Sequence, residues 1–143
     1  MDKLDKHYLA GIWDADGSFG IASRSARKRG YQPFALITIC DPKHSVIGDL
    51  IDEHFGFKCV WSSRRGNPKW KTAYRWTLSS QRACDFARAI EPYLRIKKER
   101  AQIMMEWLKI DSRIPFADRA PIHKKQEELF KRMKKLNKLG GRG

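Results

Sequence analysis

The chain has few cysteines, few acidic residues and no long apolar run. Its three cysteines, Cys40, Cys59 and Cys84, are an odd number without a CxxC pair, which argues against a disulfide framework and a thiolate zinc site. No apolar stretch approaches the roughly 20 residues that span a bilayer, and the N-terminus lacks the apolar segment of a secretory signal. We therefore expect a soluble, non-secreted protein of an intracellular reducing compartment, cytoplasm or organelle, with no membrane partner.

The scarcity of acidic residues leaves a strong positive charge. Against 16 Asp and Glu stand 30 Lys and Arg, which gives a formal net charge of +14. Such a balance favours an anionic polymer as partner. The 5 Trp, 7 Phe and 4 Tyr supply the large apolar groups that a disordered basic tail lacks. With 143 residues, the chain is predicted to form one folded basic domain.

Apolar periodicity predicts the order of the secondary-structure elements as αββαββαα, followed by a lysine-rich amphipathic helix. The first helix is expected to end at Gly17, in the left-handed conformation that commonly ends helices. The expected helices and strands are a helix at 8–16, strands at 19–28 and 32–41, a helix at 42–55, strands at 58–65 and 70–79, and helices from 80 to Pro92 and over 96–109.

The first predicted helix has two faces that could be buried. Leu9, Ile12 and Trp13 lie on one side, and the other side carries small residues. This second face is narrow enough for the backbone of another helix to approach closely, with Asp14 making hydrogen bonds across the helix pair. The predicted interface residues are Ala10, Gly11, Asp14 and Ala15.

Asp16 lies where a carboxylate is locally unfavourable. It falls in the last helical turn, whose dipole disfavours a negative charge by about 0.3–1 kcal/mol. Most Asp-Gly pairs are solvated residues at a helix end or in a turn, and Asp16 with Gly17 could be one of them. A residue that breaks a local rule is also typical of a functional site.

The stretch from Leu9 to Gly17, LAGIWDADG, resembles the signature of the LAGLIDADG homing endonucleases and departs from it only at Ile12 and Trp13, which remain apolar. The order of elements is similar to the αββαββα core of that family over roughly residues 5 to 110. The resemblance implies an α+β fold in which helices cover one face of a curved antiparallel saddle of strands, plus C-terminal helices. The core would comprise 1–111, and 112–143 would be a basic helical extension of the same domain.

The resemblance also implies an activity. The last acidic residue of the family motif, here Asp16, would bind Mg²⁺ beside the scissile phosphate, with Mn²⁺ as a possible substitute. Both strands of a long double-stranded DNA site would be hydrolysed to leave 3′ overhangs. Asp41 and Lys97 match further catalytic positions. Asp41 before Pro42 is equally an ordinary helix cap, and Lys97 could be a solvated lysine in a basic run.

Strand alternation predicts which side chains meet DNA. If Phe19, Ile37 and Trp76 face the helices, a polar and basic set faces the opposite way, and two-stranded ribbons fit the major groove. Because the motif occurs once, a homodimer on a near-palindromic site is expected. The predicted DNA-binding residues are Arg24, Lys28, Gln32, Thr38, Arg65, Lys71, Arg75 and Thr77.

Two other functions stay open at this point. The resemblance extends to intron maturases, whose partner is structured RNA, and to proteins of the same fold that bind nucleic acid without cutting it. A ribosomal or chromatin-type basic protein would also have this size and charge, but it would leave the acidic helix end unexplained.

Overall fold

The computed structural model describes residues 1–23, 30–40, 45–55, 58–62, 73–110 and 119–140. Their elements follow the predicted α+β order, with a short 3₁₀ turn at Glu91–Tyr93 after the third helix. The elements are α1 Lys3–Asp16, β1 Gly17–Ser23, β2 Tyr31–Ile39, α2 Ser45–Phe55, β3 Lys58–Ser62, β4 Ala73–Ser79, α3 Ser80–Ile90, α4 Lys98–Leu108 and α5 Arg119–Gly140.

The four strands form one antiparallel sheet in the order β1-β2-β4-β3. A single row of paired residues crosses it, because Gly17 pairs with Ile37, Ile37 with Trp76, and Trp76 with Cys59. The two predicted hairpins therefore lie side by side, joined through β2 and β4. The predicted continuations of the strands over 24–28 and 63–65, and over 70–72, lie outside the described residues.

The core lies between one face of this sheet and the helices. Alternate residues of β2, namely Pro33, Ala35 and Ile37, are buried, and β1 buries Phe19 and Ile21 on the same side. We call this the inner face. Trp13 of α1 stands edge-on to Phe86 of α3, with ring centroids 4.6 Å apart, an arrangement that aromatic pairs favour.

Helix α1 begins earlier than predicted and ends differently. Asp2 caps it by accepting a hydrogen bond from the Asp5 backbone N–H at 2.8 Å, so that a full turn precedes the apolar stretch. The prediction of a left-handed Gly17 is wrong, because its φ of −81° and ψ of 166° are those of extended backbone. Glycine is required there for space: a Cβ would lie 2.4 Å from the Trp13 ring.

Helix α5 packs into the same core. Leu129 and Met133 join the apolar cluster of the sheet and of α4, although the sequence suggested a peripheral helix. Asn137 donates to the carbonyl of Phe19 at 3.1 Å, and β1 is an edge strand of the sheet. A helix that covers an edge in this way restricts pairing with other chains. Among the helices described, none is both long and apolar enough to cross a membrane.

Candidate active site and nucleic-acid interface

Asp16 is the last residue of α1, and β1 begins at the next residue. Its side chain is exposed, whereas the preceding turns bury Leu9 and Trp13 completely. The exposed carboxylate is therefore carried by a well-anchored helix. Precise position together with solvent access is what a carboxylate that binds an external metal ion needs.

Lys97 lies at the same helix end. Its ammonium donates to the carbonyl oxygen of Trp13 at 2.9 Å and to that of Gly17. These contacts place a positive charge on the negative end of the α1 dipole and offset the unfavourable position of Asp16. Burial and the charge of Arg100 lower the pKa of Lys97, and the carboxylates of Asp14 and Asp16 act in the opposite direction.

Asp14 joins α1 to the segment before α4. One carboxylate oxygen accepts from the backbone N–H of Arg95 at 2.9 Å, and the other accepts from those of Ile96 at 3.1 Å and Lys97 at 3.0 Å. The prediction that Asp14 bonds across a pair of helices is therefore corrected, because its partners belong to its own chain. Sequence spacing alone could not reveal contacts more than 80 positions away.

The exposed face of α1 differs in part from the predicted one. Ala10 is 0% exposed and belongs to the chain's own core, so its placing at a helix–helix interface is corrected. Gly11 and Ala15 are exposed as expected. The stripe continues toward the N-terminus through Tyr8 and Leu4, which are 49% and 79% exposed. Spacings of four, three and four residues place all four on one side of the helix.

The remaining predicted catalytic residue, Asp41, lies outside the described residues. So do four of the predicted DNA-binding residues, Arg24, Lys28, Arg65 and Lys71. Their roles stay predictions.

The other predicted DNA-binding residues lie where strand alternation placed them, on the outer face of the sheet, opposite the core. Thr38 and Arg75 are directly opposite each other across β2 and β4, and Thr77 follows two residues along β4. Arg75 is exposed, and Gln32 donates from its amide to the Ser80 hydroxyl at 3.0 Å. Their binding to DNA stays a prediction.

The outer face also carries two apolar residues that the sequence prediction missed. Phe34 and Leu36 alternate with the buried Pro33, Ala35 and Ile37, so they point away from the core. The face was expected to be polar and basic, but its described part has an apolar centre. A signal was present, because 33–37 is an unbroken apolar run, which is typical of strands covered on both faces.

The donor set can be tested against a divalent metal. Within the described ranges, no three His, Cys, Asp or Glu side chains come together as a ready metal site. Mg²⁺ needs no such cluster, because it is commonly bound through only one or two carboxylates together with phosphate oxygens and water. The exposed carboxylate of Asp16 can supply one such ligand.

Neither a protein-family model nor a curated protein sequence matches the chain. Solved structures do match. The homing endonuclease I-CvuI, solved with its target in the presence of 2 mM Ca, is 19% identical with a TM-score of 0.69, and the match covers 93% of this chain and 82% of that one. The archaeal intron-encoded I-Vdi141I, complexed with DNA, is 18% identical with a TM-score of 0.64, and the match covers 95% of this chain and 86% of that one. The group I intron-encoded I-CeuI, also complexed with DNA, is 15% identical with a TM-score of 0.63, and the match covers 92% of this chain and 67% of that one.

Proposed function

The chain has the fold of the LAGLIDADG homing endonucleases, as its motif suggested, and on this basis we propose that it is a site-specific DNA endonuclease. We propose further that it acts as a homodimer on a long near-palindromic duplex and cuts both strands to leave 3′ overhangs. The single observation that carries the proposal is the exposed Asp16 carboxylate at the end of α1, the helix end to which the Lys97 ammonium donates.

The arrangement of charge around Asp16 supports cleavage rather than binding alone. A purely structural helix end would gain stability from a neutral or basic residue at this position. Here the half-buried Lys97 donates to the helix-end carbonyls, and the acidic group of Asp16 remains in solvent. A carboxylate that faces DNA repels phosphate unless a cation intervenes, so it weakens a protein whose only task is to bind.

That cation is proposed to be Mg²⁺, with Mn²⁺ able to replace it. Asp16 of each subunit would hold it, together with DNA oxygens and water. When bound there, Mg²⁺ supplies Lewis-acid stabilisation of the negative charge that builds on the phosphate oxygens during hydrolysis. The hydrogen bonds of Asp14 and Lys97 hold the end of α1, which carries Asp16, and the outer face of the sheet would position the duplex.

Two copies are required because each chain supplies one Asp16 helix end. The exposed stripe of Leu4, Tyr8, Gly11 and Ala15 on α1 is the surface through which the copies would pair. At Gly11 an added Cβ would meet nothing within 4 Å, so the small residue is not needed for packing within the chain. Close approach of a second helix would explain why a residue without a side chain stands at this position. Two-fold pairing of α1 with α1 would bring both Asp16 residues to one place.

The alternative is a maturase of the same fold that binds structured RNA. The net charge of +14 suits either nucleic acid. The exposed carboxylate distinguishes the two functions, because RNA binding alone gives it no role.

The experiment is a selection of cleaved duplexes from a randomised library in the presence of Mg²⁺, with parallel incubations in Mn²⁺ and in EDTA. We expect one long near-palindromic site, cut on both strands with 3′ overhangs, and no cutting in EDTA. If folded protein cuts no library member in either metal but binds structured RNA, the maturase proposal replaces this one.

A further inference from the structure

Phe34 and Leu36 form an apolar patch at the centre of the outer sheet face. Each is partly buried, yet neither belongs to the core cluster or packs against it. Their cross-strand neighbours are small or polar: Gly20 and Ser79 flank Phe34, and Ser18 and Thr77 flank Leu36. The patch is therefore apolar surface that folding leaves partly open to solvent.

The fold accounts for only part of this patch. The Phe34 ring lies across Gly20, where an added Cβ would come within 2.3 Å of the ring. One side of the ring therefore covers the backbone that glycine, without a side chain, leaves bare. The other side of the ring has no such role. Leu36 covers no glycine, because its partners in the sheet are Ser18 and Thr77. A threonine would serve this position of the sheet equally well.

The chemistry of the major groove offers a matching partner. The thymine 5-methyl group is the apolar feature of that groove, and Phe, Ala and Thr methyl groups contact it in DNA complexes. Residues two apart on a strand are about 6.8 Å apart, and bases two apart on one DNA strand are also about 6.8 Å apart. Phe34 and Leu36 can therefore reach two thymines separated by one base.

Polar groups around the patch would read the neighbouring bases. Gln32 precedes Phe34 by two residues, Thr38 follows Leu36 by two, and Arg75 lies opposite Thr38. Glutamine pairs well with adenine and arginine with guanine. An apolar centre with such polar neighbours resembles a base-reading surface more than a phosphate-binding one, which would be lined with cations.

We propose that Phe34 and Leu36 are specificity-determining residues that recognise thymine 5-methyl groups in each half of the target site. The proposal rests on the proposed function, since it assumes that the outer face binds duplex DNA. It predicts that selected sites carry thymines at two positions separated by one base, symmetrically in both halves.

The direct test changes the DNA rather than the protein. Each thymine of the selected site is replaced in turn by deoxyuridine, which removes only the 5-methyl group and keeps all hydrogen bonds. Binding is measured in Ca²⁺ with wild-type protein. At the two positions read by Phe34 and Leu36 we expect the Kd to rise about fourfold per methyl, the effect of exposing one buried methyl group. At the other thymines no change is expected.

Protein variants assign the effect to the two residues. Phe34→Ser and Leu36→Ser should each remove the difference between thymine and deoxyuridine at one position only, because serine has no methyl group to contact the thymine methyl. Arg75→Gln is the matched control on the same face: it should weaken binding to both DNAs equally and keep the ratio near fourfold. Thermal unfolding of each variant verifies that the sheet is intact.

The outcomes separate this inference from the proposed function. If the protein selects and binds a DNA site but no deoxyuridine replacement raises the Kd, thymine recognition is refuted while the endonuclease proposal survives. The same holds if the ratio persists in both Phe34→Ser and Leu36→Ser. If folded protein selects no duplex at all, both proposals are overturned.

Discussion

Asp14 and Lys97 are hydrogen-bonded across 83 positions of sequence, because a carboxylate oxygen of Asp14 accepts from the Lys97 backbone N–H at 3.0 Å. The Lys97 ammonium in turn donates to the carbonyl of Trp13, the residue before Asp14, at 2.9 Å. Together these contacts bind the end of α1 to the start of α4. The position of Asp16 depends on this connection, because Asp16 follows Asp14 by only two residues.

Replacement of Asp14 by Ala should destabilise the protein. The change leaves the backbone N–H groups of residues 95–97 without their charged acceptor, and we expect the free energy of unfolding to fall by about 2 kcal/mol. Urea denaturation followed by circular dichroism measures it. Asp49→Ala, on the exposed side of α2, is the control and should change stability by less than about 0.5 kcal/mol. Equal effects in the two variants would show that the Asp14 contacts contribute little.

Lys97→Met should reduce cleavage more than binding. The variant keeps the apolar stem but leaves the Trp13 and Gly17 carbonyls without their donor, so Asp16 loses its fixed position. A displacement of about 1 Å can cost roughly a hundredfold in rate, and we expect kcat to fall by that order with little change in DNA affinity. Lys98→Met removes the same charge one residue away. A comparable loss of kcat in both variants would contradict a specific positioning role for Lys97.

Gly17→Ala and Gly11→Ala form a matched pair that tests packing at the end and on the surface of α1. At Gly17 the new methyl would collide with the Trp13 ring, and we expect a loss of about 1–3 kcal/mol in the free energy of unfolding. At Gly11 the methyl meets nothing within the chain, and alanine favours the helix by up to about 1 kcal/mol. Denaturation at protein concentrations low enough to keep both variants monomeric gives the comparison. A loss at Gly11 as large as that at Gly17 would contradict the packing described here.

Gly11→Leu should instead disrupt the proposed dimer. The larger side chain has space on an isolated chain but separates two helices that pair through Gly11 and Ala15. Analytical ultracentrifugation should show a dimer for wild type and a folded monomer for the variant. Glu128→Leu on the exposed side of α5 is the control and should remain dimeric. A dimeric Gly11→Leu protein would place the interface elsewhere.

The thiol of Cys84 should make stability fall at alkaline pH. Burial, with a smaller effect of Asp85, raises the pKa of Cys84 from 9.0 to about 12. Because the folded state holds this proton more tightly than the unfolded state, the contribution is complete below pH 9 and is lost as the pH rises from 9 toward 12. Unfolding midpoints measured across that range should fall more steeply for wild type than for Cys84→Ala. Parallel curves would contradict the shift.

Accessibility gives an independent measurement of the same thiol. In a protein with Cys40→Ser and Cys59→Ser, a thiol reagent at pH 8 should react with Cys84 only as fast as the chain unfolds. Rapid reaction in the native state would show that the residue is not buried.

Sequence patterns predicted the fold well because they act locally. The alternation of Tyr74, Trp76 and Leu78 and the helical spacing of Ala83, Phe86 and Ile90 each reflect burial on one side of one element. The LAGIWDADG stretch connected these elements to a known arrangement, and comparison with solved structures confirms that arrangement as the fold.

The site was less predictable because its contacts join distant segments. The helical position of Ala10 could not tell whether its neighbour would be its own core or another chain, and Asp14 found its partners at 95–97. Lys97 was expected near the phosphate on the strength of the resemblance, but its donation to Trp13 depends on how the segment before α4 is held against the end of α1. Phe34 and Leu36 were visible in the sequence as an unbroken apolar run, yet they were not connected with the DNA-binding face.

The most direct measurement of the central claim compares wild type, Asp16→Asn and Asp49→Asn on the selected duplex in Mg²⁺, with binding measured separately in Ca²⁺. Asp16 is exposed, so its replacement should leave folding nearly unchanged, and the outer face of the sheet should still bind the duplex. The account predicts that Asp16→Asn binds the site but cuts neither strand, while Asp49→Asn cuts as wild type does. Cleavage by Asp16→Asn at the wild-type rate would contradict it.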